Sequence, residues 1–459
     1  MTVPLRRLWD TAPIRLFVVF LVIYGVTAGP SLSRHSLAPH FVYLAESFLH
    51  GHLDLTHIPD PPYDLTLFAN RWYVSFPPLP ALLMLPLVAI RGLAVSDISF
   101  SVLLGAICVS LFYTLLSRLE TWDLSFEKQF GSGDPRSRIW LCVLLGLGTP
   151  LWYCAALGSV WYTAHVVAVA CLCLYGLEAL GRNRPFLAGL WLGLGFLARA
   201  PVLLAFPLSV VLGLWQNRGL RGKMYFLFVF ALGTTPALLG QTAYNWARFG
   251  NLLEYGYRWM NSPGALLERQ VTWGQFSLHF LPENLYTLLI RPPLVSCSPL
   301  RIEPDPWGMG LLFTSPALLP ALPTLAQILD TSPFRSACGE NSPPPFPKRG
   351  RGPLRLGLWL SIILVQAPSL LYFNTGSYQF GYRFALDWLP LGILLAALGA
   401  KGWSRRWDKS LTVFSALITV SVLMQLWGVL WMYPNFNGQP WHMQYVELVR
   451  RLPLCCAEG

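Results

Sequence analysis

The sequence predicts an all-α polytopic membrane protein of about eleven transmembrane helices with a large first outer loop, and three observations predict it. Of 459 residues, 54% are hydrophobic and only 12% are charged, about half the charged share of an ordinary soluble domain. Aromatic residues make up 14% and include 19 Trp, a residue that favours membrane–water interfaces. Apolar runs recur along the whole chain without a soluble break. Length alone suggests about three domains, but this recurrence makes residues 1–459 a single transmembrane domain.

A span needs roughly 20 apolar residues. The candidates are residues 14–29, 99–117, 138–155, 163–181, 186–199, 200–215, 224–241, 307–328, 356–373, 385–400 and 410–432. The first follows Arg6, Arg7 and Arg15 and looks like a signal peptide. No small-residue cleavage pattern leads into a soluble domain, so it reads as an uncleaved span. Residues 77–90 are apolar but short and carry Pro77, Pro78, Pro80 and Pro86, which suits a re-entrant or juxtamembrane segment. With that threading, the basic loops around Arg118–Arg138, Arg182–Arg184, Arg218–Lys223, Lys348–Arg355 and Lys401–Lys409 share one side, with most of the 33 Lys and Arg. The positive-inside rule makes that side cytoplasmic. It puts the N-terminus in the cytoplasm and the C-terminus outside a cell membrane (plasma or inner).

Three segments then face outward: residues 30–98, with an interface helix, residues 242–306, and the turn Asn374–Tyr382. Residues 330–354 are rich in Pro and Gly without a periodic apolar face and read as a disordered cytoplasmic insertion. The net charge of +11 reports membrane orientation rather than a nucleic-acid partner. The nine Cys show no paired metal spacing. Cys108, Cys142, Cys154, Cys171 and Cys173 lie in apolar runs as small hydrophobes. No HExxH, GxSxG or Walker motif is present, and no internal repeat of the kind common in transporters.

Chemistry-bearing residues collect in the outward segments. Phe41, Leu44, Ala45, Phe48, Leu49 and His52 recur at helical spacing and predict an amphipathic helix lying at the interface, ending near Gly51. Asp54, Asp60 and Asp64 follow in a stretch broken by Pro59, Pro61 and Pro62, which disfavour helix before them. Each is either a solvated loop acid or a general base within reach of a substrate proton. Arg71 suits a phosphate, and Trp72 and Tyr73 either stack on a sugar or belt the interface. The second outward segment mixes Tyr244, Asn245, Trp246, Arg248, Glu254, Tyr255, Tyr257 and Arg258, a density that suits a lipid phosphate or a sugar. Arg383 and Asp387 stand four apart beside Tyr382 at the mouth of a span, one above the other on a helix face. They form either an internal ion pair or an arginine that holds a phosphate. His165 lies at the outer end of another span.

This pattern resembles the GT-C class of integral-membrane glycosyltransferases, nearest the protein O-mannosyltransferase and aminoarabinose-transferase-like branch. The likeness rests on a first span leading into a large outer loop with a YLAESFLHGHLDL helix, on Trp72-Tyr73 and Phe76-Pro77-Pro78-Leu79-Pro80, and on GYRFALDWLP (381–390). It implies inverting transfer of a sugar from a polyprenyl-phosphate donor to a lipid, glycan or protein hydroxyl at the outer face, with no cofactor and a divalent ion left open. Arg71, Arg248 and Arg383 are its candidates for the lipid phosphate. The family places an acid just before the interface helix, where this chain has Ala38-Pro39-His40, and often another where it has His165. The base is therefore open among Asp54, Asp60, Asp64 and His40. A non-catalytic lipid-binding relative and a lipid or solute transporter are the competing readings.

Overall fold

The fold is described from a computed structural model that covers residues 11–60, 62–119, 136–217, 219–262, 264–297, 300–329, 351–404 and 410–436. Its elements are helix α1 (Ala12–Ala28), α2 (His40–Leu49), the hairpin β1 (Leu65–Phe68) and β2 (Arg71–Val74), α3 (Leu79–Arg91) and α4 (Asp97–Arg118). Next come α5 (Arg136–Leu147), α6 (Leu151–Leu157), α7 (Val160–Gly176), α8 (Pro185–Phe196), α9 (Pro207–Gln216) and α10 (Gly219–Phe249). Then follow α11 (Gly264–Trp273), α12 (Leu281–Leu289), strands β3 (Leu294–Cys297) and β4 (Leu300–Glu303), and helices α13 (Leu311–Thr314) and α14 (Pro323–Leu329). The last helices are α15 (Arg351–Leu370), α16 (Leu389–Ser404) and α17 (Ser410–Phe436). The fold is all-α, with sheet confined to two antiparallel hairpins.

Among the described residues, six helices are long and apolar enough to cross a membrane, and α5 with α6, bent by 54°, makes a seventh. Four of the eleven predicted runs fold instead as shorter apolar helices of 10–17 residues. At 1.5 Å per residue, the 12 residues of α8 rise only about 18 Å, against a hydrocarbon core of about 30 Å. By length and composition, six or seven of the expected crossings are met among the described residues. The segment from Pro77 behaves as its prolines require: α3 has 13 residues with Pro86 inside it, too short to span. The insertion expected at 330–354 lies outside the described residues up to 350, and its last four residues already belong to α15.

Local chemistry explains the boundaries. Ser96 caps α4 by accepting the Ser99 N–H, and Asp97 and Arg118 complement the dipole at its two ends. The buried Asp97 carboxylate also accepts the backbone N–H groups of Ser36 (2.9 Å) and Ser159 (3.0 Å), so it ties the loop after α1 to the start of α7. Helix α2 does not lie with one face open. His40, Phe41, Val42, Leu44, Ala45, Glu46 and Ser47 are all buried, because α3, β2 and the N-terminal end of α7 enclose it in one apolar cluster.

Helices α8 and α10 approach through glycine. A Cβ on Gly189 would stand 2.1 Å from the Phe230 carbonyl oxygen, and one on Gly233 would stand 2.1 Å from that of Phe186. In lipid, helices associate through such close packing rather than by hiding apolar surface from water. Gly189→Val and Gly233→Val are each expected to lower the melting temperature in detergent, by an equivalent of about 2 kcal/mol or more. Gly240→Ala, which meets nothing within 4 Å, leaves it unchanged or slightly raised.

Candidate functional site

One end of the bundle collects the long loop after α1, neighbouring ends of α7, α8, α10 and α15, and the turn before α16. Between them lies a cavity of about 570 Å³. Its charged wall residues are Asp64, Arg199, Glu254, Arg258 and Arg383; Leu203, Leu204, Leu253 and Leu266 form an apolar side, and rings such as Trp161, Tyr162, Tyr257 and Tyr372 fill much of the rest.

Asp64 stands just before β1 with a left-handed backbone, φ +52°, a region costly for residues other than glycine and milder for Asp. Its backbone is held by a neighbouring stretch. The Asp64 N–H donates to the Asn261 carbonyl at 3.1 Å, Asn261 N–H donates to Leu65 O at 2.8 Å, and Asn261 Nδ2 donates to Pro62 O at 3.1 Å. Its carboxylate accepts one hydrogen bond, from Trp161 Nε1 to Oδ2 at 2.7 Å. Oδ1 receives none among the described residues. Burial pushes the Asp64 carboxyl up to about 6, against the opposing pull of the Trp161 hydrogen bond and the Arg383 charge. The result is a carboxylate poised near the pH at which a base works best.

Arg383 is the cation facing it. The side chain is 5% exposed and its Nη1 donates to the carbonyls of Gly376 and Tyr378. The guanidinium lies 5.4 Å from the Tyr162 ring centre and 5.3 Å from that of Phe384. Its Nε has no hydrogen-bond partner, and among the described residues no carboxylate pairs with it. A buried, uncompensated guanidinium on a cavity wall is suited to an anion.

The expected stacking of Arg383 over Asp387 does not occur. Residues Arg383–Asp387 form a 3-10 turn rather than an α-helix, and Asp387 turns away into the bundle. It accepts Nε and Nη2 of Arg199 at 3.2 and 3.0 Å and Nδ1 of His165 at 2.8 Å. Both His165 and Asp387 are fully enclosed, so neither reaches the cavity. What they hold does: Arg199 lines the wall, with its guanidinium 5.4 Å from the Phe384 ring centre.

The other candidates lie elsewhere. Asp54 is 3.7 Å from the exposed Arg71, Asp60 is exposed, and neither is on the cavity wall. Trp72 packs against the cluster around α2, and Tyr73 stands edge-on to Phe249 at 5.4 Å. Arg248 donates to Val74 O (2.7 Å) and Asn245 Oδ1 (3.1 Å) above the Tyr244 ring. Each of its three nitrogens thus donates within the protein, and the bond to Val74 joins α10 to β2. Tyr382 is buried with its hydroxyl bound to Gln366. His40 is wholly buried with Nε2 on the Tyr63 carbonyl, and it is not on the cavity wall. Of the candidates, the structure brings together Asp64 and Arg383. Sequence reasoning missed Arg199, although an arginine directly before Ala200-Pro201, where two short apolar runs meet, was a signal. Among the described residues no three His, Cys, Asp or Glu side chains form a group able to hold a metal ion.

The chain matches no protein-family model and no curated protein sequence. Among solved structures it is similar to the Archaeoglobus fulgidus oligosaccharyltransferase in its apo form, at 14% identity and TM-score 0.46, over 97% of this chain and 60% of that one. It is also similar to ArnT from Cupriavidus metallidurans bound to undecaprenyl phosphate, at 16% identity and TM-score 0.45, over 88% of this chain and 63% of that one. A third is the archaeal oligosaccharyltransferase AglB from Archaeoglobus fulgidus in complex with an inhibitory peptide and a dolichol-phosphate, at 13% identity and TM-score 0.44, over 98% of this chain and 60% of that one. The chain thus spans about three fifths of the length of these proteins, and at this distance no residue role is carried across.

Removing one partner of a buried ion pair strands the other charge. Asp387→Ala is expected to destabilise by about 3–5 kcal/mol. The double variant Arg199→Ala/Asp387→Ala is expected to lose clearly less than the sum of the single variants in thermal melts. Strict additivity would show that the pair does not act as a unit.

Proposed function

We propose that this protein is a membrane glycosyltransferase of GT-C type, moving a sugar from a polyprenyl-phosphate donor to an acceptor hydroxyl at the outer membrane face. The observation that carries the reading is a single cavity walled by Asp64, with an upward-shifted carboxyl and one oxygen free among the described residues, and by Arg383, which pairs with no carboxylate among them. A base and an anion-binding cation on one wall are what transfer from a phosphate ester requires. The apolar side at Leu203, Leu204, Leu253 and Leu266 suits an isoprenoid, and aromatic faces suit a sugar ring.

In this reading the acceptor hydroxyl donates to Asp64 Oδ1. As its oxygen bonds to the anomeric carbon, the proton passes to Asp64 and the bond from that carbon to the phosphate oxygen breaks, with inversion. The electron pair leaves on the lipid phosphate. Charge growing there is received by Arg383, already in place and shielded from water, so no reorganisation is needed as the bond breaks. Arg199 adds positive potential from beside Phe384, moderated by its pairing with Asp387. The outward segments 30–98 and 242–306 and a cytoplasmic N-terminus belong to the same proposal.

The test uses the full chain in nanodiscs with undecaprenyl-phosphate hexose and pentose donors, following release of undecaprenyl phosphate. Asp64→Asn is expected to lower turnover at least about 100-fold, and Arg383→Ala by about 100- to 1,000-fold. Because the ionised carboxylate is the active form and the folded-state value is raised to about 6, kcat/KM is expected to fall as pH drops through about 6. Full turnover by Asp64→Asn would end the proposal.

A further inference from the structure

His40 occupies the place where the resemblance calls for an acid, yet the geometry gives it another task. Its ring is completely buried at the first turn of α2. Nε2 lies 2.6 Å from the Tyr63 carbonyl oxygen. A carbonyl only accepts, so Nε2 carries the proton and donates. Nδ1 is buried with no partner. Burial holds the imidazole down near 4, so the ring stays neutral at ordinary pH and in that tautomer.

The carbonyl it grips belongs to the peptide unit joining Tyr63 to Asp64. The same unit donates its N–H, from Asp64, to the Asn261 carbonyl. The peptide is therefore clamped from opposite edges by α2 and by the segment after α10. Asp64 also needs that clamp, since its φ of +52° is a conformation that relaxes when its supports are removed. With Trp161 holding Oδ2, three separate parts of the chain fix one carboxylate.

We infer that His40 is a positioning residue for Asp64: its Nε2–H grips the Tyr63 carbonyl and thereby holds the Asp64 carboxylate toward the cavity, without itself taking a substrate proton. This rests on the reading of Asp64 as the base. A histidine acting as base would need a nitrogen lone pair open to substrate. Here the only lone pair, on Nδ1, is enclosed by protein. The requirement is a donor at the Nε2 position, which glutamine reproduces through its own amide nitrogen and asparagine or leucine does not.

The experiment compares His40→Gln, His40→Asn and His40→Leu in nanodiscs, with thermal melts to verify folding. Undecaprenyl-phosphate hexose and pentose serve as donors, and the infrared titration of the Asp64 carboxylate is taken as the difference from Asp64→Asn. His40→Gln is expected to keep turnover within about 5-fold. His40→Asn and His40→Leu are expected to lose at least about 30-fold in kcat with KM within about 3-fold, since geometry at the base is lost rather than binding. The carboxylate midpoint is expected to stay near 6 in His40→Gln and to drop by about one pH unit in the other two, as a released carboxylate gains water. Equal turnover and equal midpoints in the folded Gln and Asn variants would overturn the inference, as would full turnover by His40→Leu. If Asp64→Asn keeps full turnover, the functional reading fails; if Asp64→Asn is inactive while His40→Leu is fully active, only the role of His40 fails. The titration needs no turnover, so it decides the positioning question even where neither donor is used.

Discussion

A charged group cannot be left alone in an apolar body, and most of this architecture follows from how its buried charges are answered. Taking an ion out of water costs several kcal/mol even after relaxation. Asp387 is answered by Arg199 and His165, and Asp97 by two backbone N–H groups. Arg248 is answered by carbonyls and an amide. Arg383 has two carbonyls but, among the described residues, no paired carboxylate, and it lies on the cavity wall. What separates the buried arginines of this chain is therefore their partners, not their position along the sequence. Asp64 follows the same logic from the negative side, with one oxygen bound and one open.

The membrane class and most helix positions were legible because apolar composition over a window of about 20 residues reports directly on burial in lipid. Helix length was less legible. Gly189 on α8 and Gly233 on α10 mark where those two helices pack closely, and the prolines at 201 and 207 mark where the chain breaks between α8 and α9, but a hydropathy run does not register a break of a few residues. The hairpin β1–β2 was invisible as a pair, since four-residue strands carry little periodicity. Helix α2 was legible as a helix but not as a buried one: its Glu46 and Ser47 read as an exposed face until the covering segments are in place.

At the site, Asp64 and Arg383 were legible as two of several candidates. Their partners were not. Spacing of four placed Arg383 above Asp387, but a 3-10 turn rotates successive residues by a different angle, and the carboxylate found Arg199 from another helix end instead. Long-range pairings of this kind leave no trace in local pattern. Arg248 shows the converse: it sits in a stretch dense in aromatic residues, and each of its three nitrogens already donates to Tyr244, Val74 or Asn245.

The stitching of Asn261 to Pro62, Asp64 and Leu65 joins positions up to 199 residues apart in the chain. Two loops sewn together in this way are bound to one heredity. An exchange of the first loop between distant cousins, without its counterpart beyond α10, brings mismatched backbones to the seam and unseats the carboxylate between them. Variation in what the cavity accepts is thus channelled into paired changes on both strips, or into the side chains that project from them.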